Sequence, residues 1–316
     1  MANKKIIAVL GATGSQGGGL ARAILADKSS LFAVRALTRD PATEKAQELA
    51  KLGAEVVKAD ANSMTSLRKA FDGAYGAFCV TFFWEHFLPD KEAAQAQAMA
   101  TAAKMADVKH VIWSTLEDTR LKVPLKDNRM PTLMERYKVP HFDAKGESDK
   151  LFMQSGAATT LLRTSFYWEN FIYFGLGPKR QPDGSLALTL PMGEKKLSGI
   201  AGEDIGRCAY GILRKGVEYI GQTVGVAGEH LTGTQMAAAL TRALGQEIRY
   251  NPVTPEAYRE LDFPAAKDMA NMFQYMSDFE GDFCGARSVD SSRSLNPDLL
   301  NFDRWLAKNK DRIPLE

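Results

Sequence analysis

A glycine-rich turn near the N-terminus constrains what this chain can fold into more than any other segment. Gly11-Ala12-Thr13-Gly14-Ser15-Gln16-Gly17 separates the apolar run 6–10 from a segment whose apolar residues recur every four positions. Gly11 permits a sharp turn, Gly14 lets a phosphate approach the backbone, and Gly17 lets the following helix pack closely on a sheet. The order strand, glycine turn, helix predicts a dinucleotide-binding βαβ unit whose helix N-terminus faces the phosphates. A glycine-rich turn without a ligand is the alternative.

The first half of the chain continues the alternation of short apolar runs and amphipathic stretches. We predict strands near 5–10, 32–38, 55–59, 76–81, 109–114 and 159–164. Their β-branched and aromatic residues, with little alternation, fit burial on both faces of a parallel sheet. Helices are predicted between them, one starting at Asp40-Pro41 and a long one from about Pro89 to Met105. The predicted fold class is α/β, a Rossmann doubly wound parallel sheet.

The pattern loosens after about residue 165, where aromatic residues and a Gly/Pro-rich stretch replace the alternation. A chain of 316 residues suits one large domain and a smaller one. We therefore predict a Rossmann domain over 1–165, with a return segment near 195–225, and a smaller α+β C-terminal domain over 166–316. Thr232 and Thr254 have the sequence context of helix N-caps within the second domain.

The composition is that of a globular protein, with 45% hydrophobic residues, 25% charged residues and a net charge of +2. The near-neutral charge predicts no direct nucleic-acid partner and no membrane partner. Three widely spaced cysteines suit a reducing compartment. Lys4-Lys5 and the apolar run resemble a short signal peptide, but the run stops at Gly11 without a cleavage motif. We expect a cytoplasmic protein, with the nucleus as a further location.

The end of the second predicted strand bears on which dinucleotide is bound. NAD-preferring sites carry an acidic residue there, which holds the ribose 2′-hydroxyl. Here the strand ends in Thr38-Arg39, and a guanidinium can pair with the 2′-phosphate of NADP(H). A solvated Arg39 beside a helix-capping Asp40 is the alternative. Asp60, after the third strand, is either an adenine contact or an ordinary strand-ending aspartate.

Reductases of this fold usually take a Ser from the fifth strand and a Tyr-x-x-x-Lys pair from the next helix. Ser114 stands at the strand end and Lys145 at the lysine position, but His141 replaces the tyrosine. A histidine can transfer protons near neutral pH, whereas loss of a positioned acid costs about 10²–10⁴-fold in rate. A surface helix position without a catalytic role is the alternative for His141. Neither a metal site nor the motifs of triphosphatases and serine hydrolases are found.

Several segments together resemble the NmrA-like family of atypical short-chain dehydrogenase/reductases, and within it the HSCARG-type NADPH sensor proteins. The segments are GATGSQGG at Gly11, RALTRDP at Arg35, GAEVVKAD at Gly53, VTFFWE at Val80, HFDAKGE at His141, SFYWENF at Ser165 and FPAAKDMANMF at Phe263. They extend over nearly the whole chain, and the last three are far more specific than the glycine turn. Phe82-Phe83 departs from the polar–aromatic pair usual in the sensors.

The resemblance implies a cofactor site built from several parts of the chain. By position, Gly11 to Gln16 contact the pyrophosphate, and Arg39 with neighbours such as Asp40 contacts the 2′-phosphate. The further residues implied are Asp60 and Ala61 near adenine, Thr81, Phe82, Phe83 and Lys145 near ribose and nicotinamide, and Tyr167, Trp168, Glu169 and Asn170 over the nicotinamide end. The resemblance also implies a homodimer whose association and partner binding follow the NADPH/NADP⁺ balance.

Three functional hypotheses follow. The leading one is an NADP(H)-binding redox sensor without efficient dehydrogenase activity, which couples cofactor state to regulatory partner proteins. It rests on a complete cofactor motif beside a broken proton-transfer pair. The alternative is an active NADPH-dependent reductase of the isoflavone-reductase or quinone-reductase type, with Lys145 as acid/base. A scaffold with a purely structural cofactor is the third.

Overall fold

A seven-stranded parallel sheet forms the centre of the computed structural model, which describes residues 4–315. Residues 1–3 and 316, the outer ends of the two predicted domains, lie outside the described residues. In chain order the strands are β1 (Lys5–Val9), β2 (Phe32–Thr38), β3 (Glu55–Lys58), β4 (Gly76–Cys79), β5 (His110–Thr115), β6 (Thr159–Arg163), β7 (Phe166–Tyr167), β8 (Lys179–Arg180), β9 (Leu186–Leu190), β10 (Lys196–Ile200), β11 (Thr223–Gly225), β12 (Glu229–Thr232) and β13 (Ile248–Pro252).

The strand order of the large sheet is β11-β6-β5-β4-β1-β2-β3, with every neighbouring pair parallel. The chain runs outward from β1 to β3 and then returns to place β4 on the other side of β1. The reversal creates a crevice at the carboxyl ends of β1 and β4, where open α/β sheets bind their ligands. The predicted Rossmann fold is confirmed, and the six predicted strands agree with β1–β6 to within two residues.

Helices connect the strands and cover both faces of the sheet. In chain order they are α1 (Ser15–Ala26), α2 (Glu44–Lys51), α3 (Met64–Phe71), α4 (Pro89–Met105), α5 (Pro140–Ser155), α6 (Asn170–Tyr173), α7 (Gly202–Lys215), α8 (Gly233–Leu244), α9 (Pro255–Arg259), α10 (Ala266–Asp278), α11 (Glu280–Gly285), α12 (Val289–Leu295) and α13 (Phe302–Asn309). None of the helices within residues 4–315 has the length and apolar character needed to cross a membrane.

The predicted start of the second helix at Asp40-Pro41 is wrong. Helix α2 begins at Glu44, with Thr43 at the N-cap, and Asp40 instead closes a turn by accepting a hydrogen bond from the backbone N–H of Ala42 at 2.9 Å. Asp-Pro is a signal for turns as well as for helix starts, and here the turn prevails. The long helix α4 has the predicted bounds.

Successive residues of the central strands face opposite layers, as the twofold period of a strand requires. Ile7 and Val9 pack with α1 and α7 on one face, whereas Ala8 packs with α3 and α4 on the other. Burial on both faces explains why these strands are apolar throughout rather than alternating.

The crossing of α1 and α7 is unusually close because glycines form it. A Cβ atom at Gly19 would lie 2.2 Å from the carbonyl oxygen of Glu203, and one at Gly206 would lie 2.1 Å from that of Gln16. At the start of α7, a Cβ at Gly202 would lie 2.7 Å from the Cβ of Ser15. The backbone of α7 therefore rests directly on the first turns of α1.

The second half of the chain adds elements to the large sheet and forms two small sheets. Helix α7 packs on α1, and β11 extends the large sheet beside β6. The small sheets have the orders β12-β10-β7 and β13-β9-β8, and a separate apolar core joins them to α8, α10 and α13. The predicted N-caps at Thr232 and Thr254 are both present, the first as a reciprocal capping box with Gln235.

The glycine crossing leads to a stability test. We expect Gly206→Ala to lower the free energy of unfolding by about 1–3 kcal/mol, since its methyl group must push two helix backbones apart. Urea denaturation measures the change. Gly281→Ala in α11 is the matched control: its new Cβ meets nothing within 4 Å, so we expect no loss and a gain of up to about 1 kcal/mol. Equal effects of the two substitutions would contradict a backbone contact at Gly206.

Candidate cofactor site

The glycine turn has the geometry that its sequence predicts. Gly11 has a φ of +61°, and its carbonyl oxygen accepts a hydrogen bond from the N–H of Gly14 at 2.8 Å. A Cβ at Gly17 would lie 2.5 Å from the same oxygen, so only glycine lets α1 start this close to β1. Gly14 is the N-cap, and no side chain of the described residues caps α1. The first-turn N–H groups and the positive end of the helix are thus left to an anion.

A chain of hydrogen bonds joins the first turn of α1 to two other elements. Ser114, at the end of β5, donates its hydroxyl proton to Gln16 Oε1 at 2.7 Å, and Gln16 Nε2 donates to the hydroxyl oxygen of Tyr167. Burial raises the pKa of Tyr167 to about 12, so its phenol stays protonated at neutral pH. Ser114, Gln16 and Tyr167 therefore lie together at the carboxyl edge of the sheet.

Arg39 lies at the carboxyl end of β2, as predicted, but it has a partner within the protein. Its guanidinium donates to both carboxylate oxygens of Glu85, with Nη1 2.9 Å from Oε2. These hydrogen bonds, and then the charge of Glu85, raise the pKa of Arg39 above its ordinary value. Both side chains are exposed, 68% for Arg39 and 40% for Glu85, so a ligand can reach the pair from solvent.

The two predicted aspartates of this edge close turns of their own. Asp40 accepts the N–H of Ala42, and Asp60 Oδ1 accepts the N–H of Asn62 at 2.9 Å. Asp60 is exposed and Ala61 half-buried, just beyond the carboxyl end of β3. Both aspartates flank the Arg39 end of the edge without making an ion pair to it.

Lys145 is bound within a buried cluster rather than free at the cofactor crevice. Its ammonium donates to Thr81 Oγ1 at 2.6 Å and to the Thr81 carbonyl oxygen at 3.3 Å, and lies 2.9 Å from Glu92 Oε1. Thr81 in turn donates its hydroxyl proton to Glu92 Oε1 at 2.5 Å. Thr81 thus accepts two hydrogen bonds from the ammonium, and Glu92 forms an ion pair with it.

The second carboxylate oxygen of Glu92 faces a histidine. His86 Nε2 lies 3.6 Å from Glu92 Oε2, too far for a hydrogen bond, and neither atom has another partner among the described residues. Glu92 is fully buried, and burial lowers the pKa of His86 despite the nearby carboxylate. The ion pair to Lys145 is accordingly the main compensation for the buried charge of Glu92.

His141 is not a surface residue, so that alternative is wrong. Its ring is 5% exposed, Nδ1 lies 2.7 Å from Asp268 Oδ1, and the ring centroid lies 4.6 Å from that of Trp84. Asp268 belongs to the first turn of α10, so the contact joins the first turn of α5 to the C-terminal core. His141, at the position of the missing tyrosine, thus holds α5 against α10.

The side chains of the segment 167–170 face different parts of the structure. Tyr167 reaches Gln16, but the Trp168 indole is buried in the C-terminal core, its ring centroid 5.3 Å from that of Phe302. The indole therefore faces the core rather than Gln16, because alternate residues of an extended segment face opposite sides. Glu169 caps α7 by accepting the Gly202 N–H at 2.8 Å, and burial raises its pKa. Asn170 begins α6 half-buried.

Aromatic residues after β4 divide between core and surface. Phe83 is buried, whereas Phe82 is 54% and Phe87 39% exposed. Trp84, between them in sequence, packs on Phe174, with ring centroids 6.2 Å apart. Of the three residues predicted after β4, Thr81 and Phe83 are thus buried and Phe82 is exposed.

Three residues of this region were not predicted: Glu85, Glu92 and Asp268. Glu85 ends the VTFFWE segment that follows β4. Since β4 and β2 lie on either side of β1, a carboxylate after β4 could have been expected near Arg39. Glu92 is one more acidic residue in the first turn of a helix, where such residues are common. Asp268 lies 127 residues from His141, a separation at which no local pattern operates.

A family model described as NmrA-like family matches residues 3–306 of the chain. An NmrA-like family domain-containing oxidoreductase of Penicillium ochrochloron is 28% identical over 93% of this chain and 90% of its own length. An NAD(P)H azoreductase of Xenophilus azovorans is 30% identical over 81% of this chain and 79% of its own length.

Among solved structures, the chain is similar to NmrA, a negative transcriptional regulator crystallised in complex with NADP. The TM-score is 0.78 and the sequence identity 23%, over 96% of this chain and 95% of that one. At this identity the likeness concerns the fold alone.

The buried cluster gives a second stability test. We expect Glu92→Gln to lower the free energy of unfolding by about 2–3 kcal/mol, since it leaves the Lys145 charge without its carboxylate. Adding Lys145→Met removes that charge, so the double variant should be more stable than Glu92→Gln alone. Urea denaturation of both variants measures this.

Glu247→Gln is the matched control, because Glu247 forms an exposed pair with Arg249. We expect it to change stability by less than about 1 kcal/mol. A double variant that is less stable than Glu92→Gln would show that Lys145 and Glu92 do not compensate each other.

Proposed function

This chain belongs to the NmrA-like family, and on that premise we propose that it is an NADP(H)-binding redox sensor without efficient dehydrogenase activity. The observation that carries the proposal is the pairing of its proton donors. Lys145 is engaged by Thr81 and Glu92, and His141 by Asp268. A site that holds a nicotinamide nucleotide beside committed acid/base groups is suited to binding rather than turnover.

The residues present fit a dinucleotide. The uncapped first turn of α1 offers N–H groups to a pyrophosphate, and Gly11, Gly14 and Gly17 leave the backbone open to it. Arg39 at the end of β2 suits a 2′-phosphate, because a guanidinium binds phosphate with two parallel hydrogen bonds. The NADP complex of the structurally similar NmrA supports the same assignment.

Proton transfer is where this chain differs from a working reductase of the fold. In the Tyr-x-x-x-Lys pair the lysine lowers the tyrosine pKa, but here burial raises the pKa of Tyr167 to about 12 and no lysine contacts it among the described residues. The Lys145 ammonium is neutralised by a fully buried carboxylate. Both groups are thus already engaged by other residues of the protein.

By family resemblance we extend the proposal to the assembly. The chain forms a homodimer of the HSCARG type, acts in the cytoplasm or nucleus, and reports the NADPH/NADP⁺ balance to a protein partner. The contacts of Trp84 with His141, and of His141 with Asp268, support coupling between the turn after β4 and the C-terminal core.

An NADPH-dependent reductase is the second candidate, and the names of the relatives favour it, an oxidoreductase and an azoreductase. A bound NADPH supplies a hydride in such chemistry. Lys145 would act as acid/base after leaving Glu92, or the substrate would take its proton from water. The two candidates share the cofactor and differ in turnover.

Cofactor preference tests the binding half of the proposal. We expect calorimetry to give tighter binding of NADPH than of NADH, and Arg39→Gln to weaken NADPH binding about ten- to hundredfold while leaving NADH unchanged. Arg249→Gln, an exposed arginine of β13, is the control and should leave both affinities unchanged. Equal affinities in the wild-type chain would contradict the NADP(H) assignment.

Turnover and oligomer size test whether the protein senses the cofactor or uses it for catalysis. We expect no steady oxidation of NADPH, followed at the nicotinamide absorbance band, with quinones, azo dyes, aldehydes or enones. We also expect the oligomer size to differ between NADPH and NADP⁺ in sedimentation velocity. Turnover at ordinary enzyme rates, about 1–10³ s⁻¹, would replace the sensor by the reductase.

A further inference from the structure

The carboxylate of Glu85 is hydrogen-bonded to the Arg39 guanidinium, the group on which the proposed cofactor preference depends. Both of its oxygens accept hydrogen bonds from the two terminal nitrogens of Arg39. A phosphate that binds the guanidinium end-on uses the same two nitrogens, in two parallel hydrogen bonds. Glu85 and a 2′-phosphate therefore cannot both occupy this end of the guanidinium.

The position of Glu85 follows from the strand order rather than from a chance surface contact. Glu85 ends the 3-10 turn Phe83–Glu85, which leaves the carboxyl end of β4, and Arg39 follows β2 on the far side of β1. The pair thus spans the carboxyl end of β1, directly beside the glycine turn that follows it. A carboxylate in this place repels the phosphates of a nucleotide bound between the glycine turn and β2.

We propose that Glu85 is a specificity-determining residue, which competes with the 2′-phosphate of the nucleotide for Arg39. The inference rests on the proposed function, because it needs a nicotinamide nucleotide in this crevice. A nucleotide with a 2′-phosphate takes Arg39 from Glu85, whereas one with a free 2′-hydroxyl leaves the pair in place. Glu85 thereby weakens binding of NADPH and not of NADH, and narrows the preference between them.

The exposure of the pair sets the size of the effect. Exposed ion pairs are weak because water solvates both charges. The apparent affinity for NADPH is reduced to the extent that Arg39 is paired with Glu85, since only molecules with an unpaired Arg39 bind the 2′-phosphate. We expect Glu85→Gln to tighten NADPH binding about threefold to fivefold. The NADH affinity should stay within about twofold of the wild-type value, since no phosphate meets Arg39.

The experiment is isothermal calorimetry of NADPH and NADH with the wild-type chain, Glu85→Gln, Arg39→Gln and the double variant. In the Arg39→Gln background the gain from Glu85→Gln should fall below about twofold, because the contested group is gone. Glu247→Gln, which removes the same charge from an exposed arginine pair elsewhere, should change neither affinity. Thermal melts of all variants verify folding.

Two fragments locate the effect on the nucleotide. We expect Glu85→Gln to tighten adenosine 2′,5′-bisphosphate but not adenosine 5′-monophosphate, which differs by the 2′-phosphate alone. An unchanged or weaker NADPH affinity in Glu85→Gln, or an equal gain for NADH, would overturn the inference. The wild-type and Arg39→Gln measurements test the proposed function separately, so NADPH binding that depends on Arg39 but not on Glu85 would refute only the role of Glu85.

Discussion

The contact of α1 with α7 is the constraint on which the rest of the structure depends. At Gly19 and Gly206 two helix backbones touch without side chains between them, and Gly17 brings the same helix against the end of β1. The first turn of α1 is therefore held from both sides, and its uncapped N–H groups point to a fixed place at the sheet edge. Glu169 caps α7, so the packing of α7 on α1 also positions the segment that carries Glu169 beside the first turn of α1.

Most of the large sheet could be predicted from the sequence because its rules are local. Runs such as 6–10 are apolar throughout only when both faces are buried, and the glycine spacing identifies the turn that follows. Asp40-Pro41 shows the limit, since the same two residues favour a turn and a helix start and their identity does not select between the two. The two small sheets pair strands of two to five residues, too short to carry a period.

The site was predictable at its backbone positions and less so at its side chains. The glycines are required by φ and close approach, which depend on near neighbours in sequence. The state of Lys145 depends on Glu92, 53 residues earlier, and that of His141 on Asp268. The Trp168 indole shows a related limit: an aromatic residue suits a cofactor wall and a core equally well, and the alternation of the strand turns this one to the core.

The pairings share one consequence for how such a site responds to a ligand. A free cation would bind any nucleotide phosphate and change nothing else, whereas in the proposed competition Arg39 leaves Glu85 to meet the 2′-phosphate. The exchange makes binding weaker, but it moves a negative charge within the turn that carries the exposed Phe82 and Phe87. A ligand shifts a protein only through interactions that differ between its two states. If the 2′-phosphate separates Arg39 from Glu85 as proposed, NADPH and NADH differ in their effect on that turn as well as in affinity.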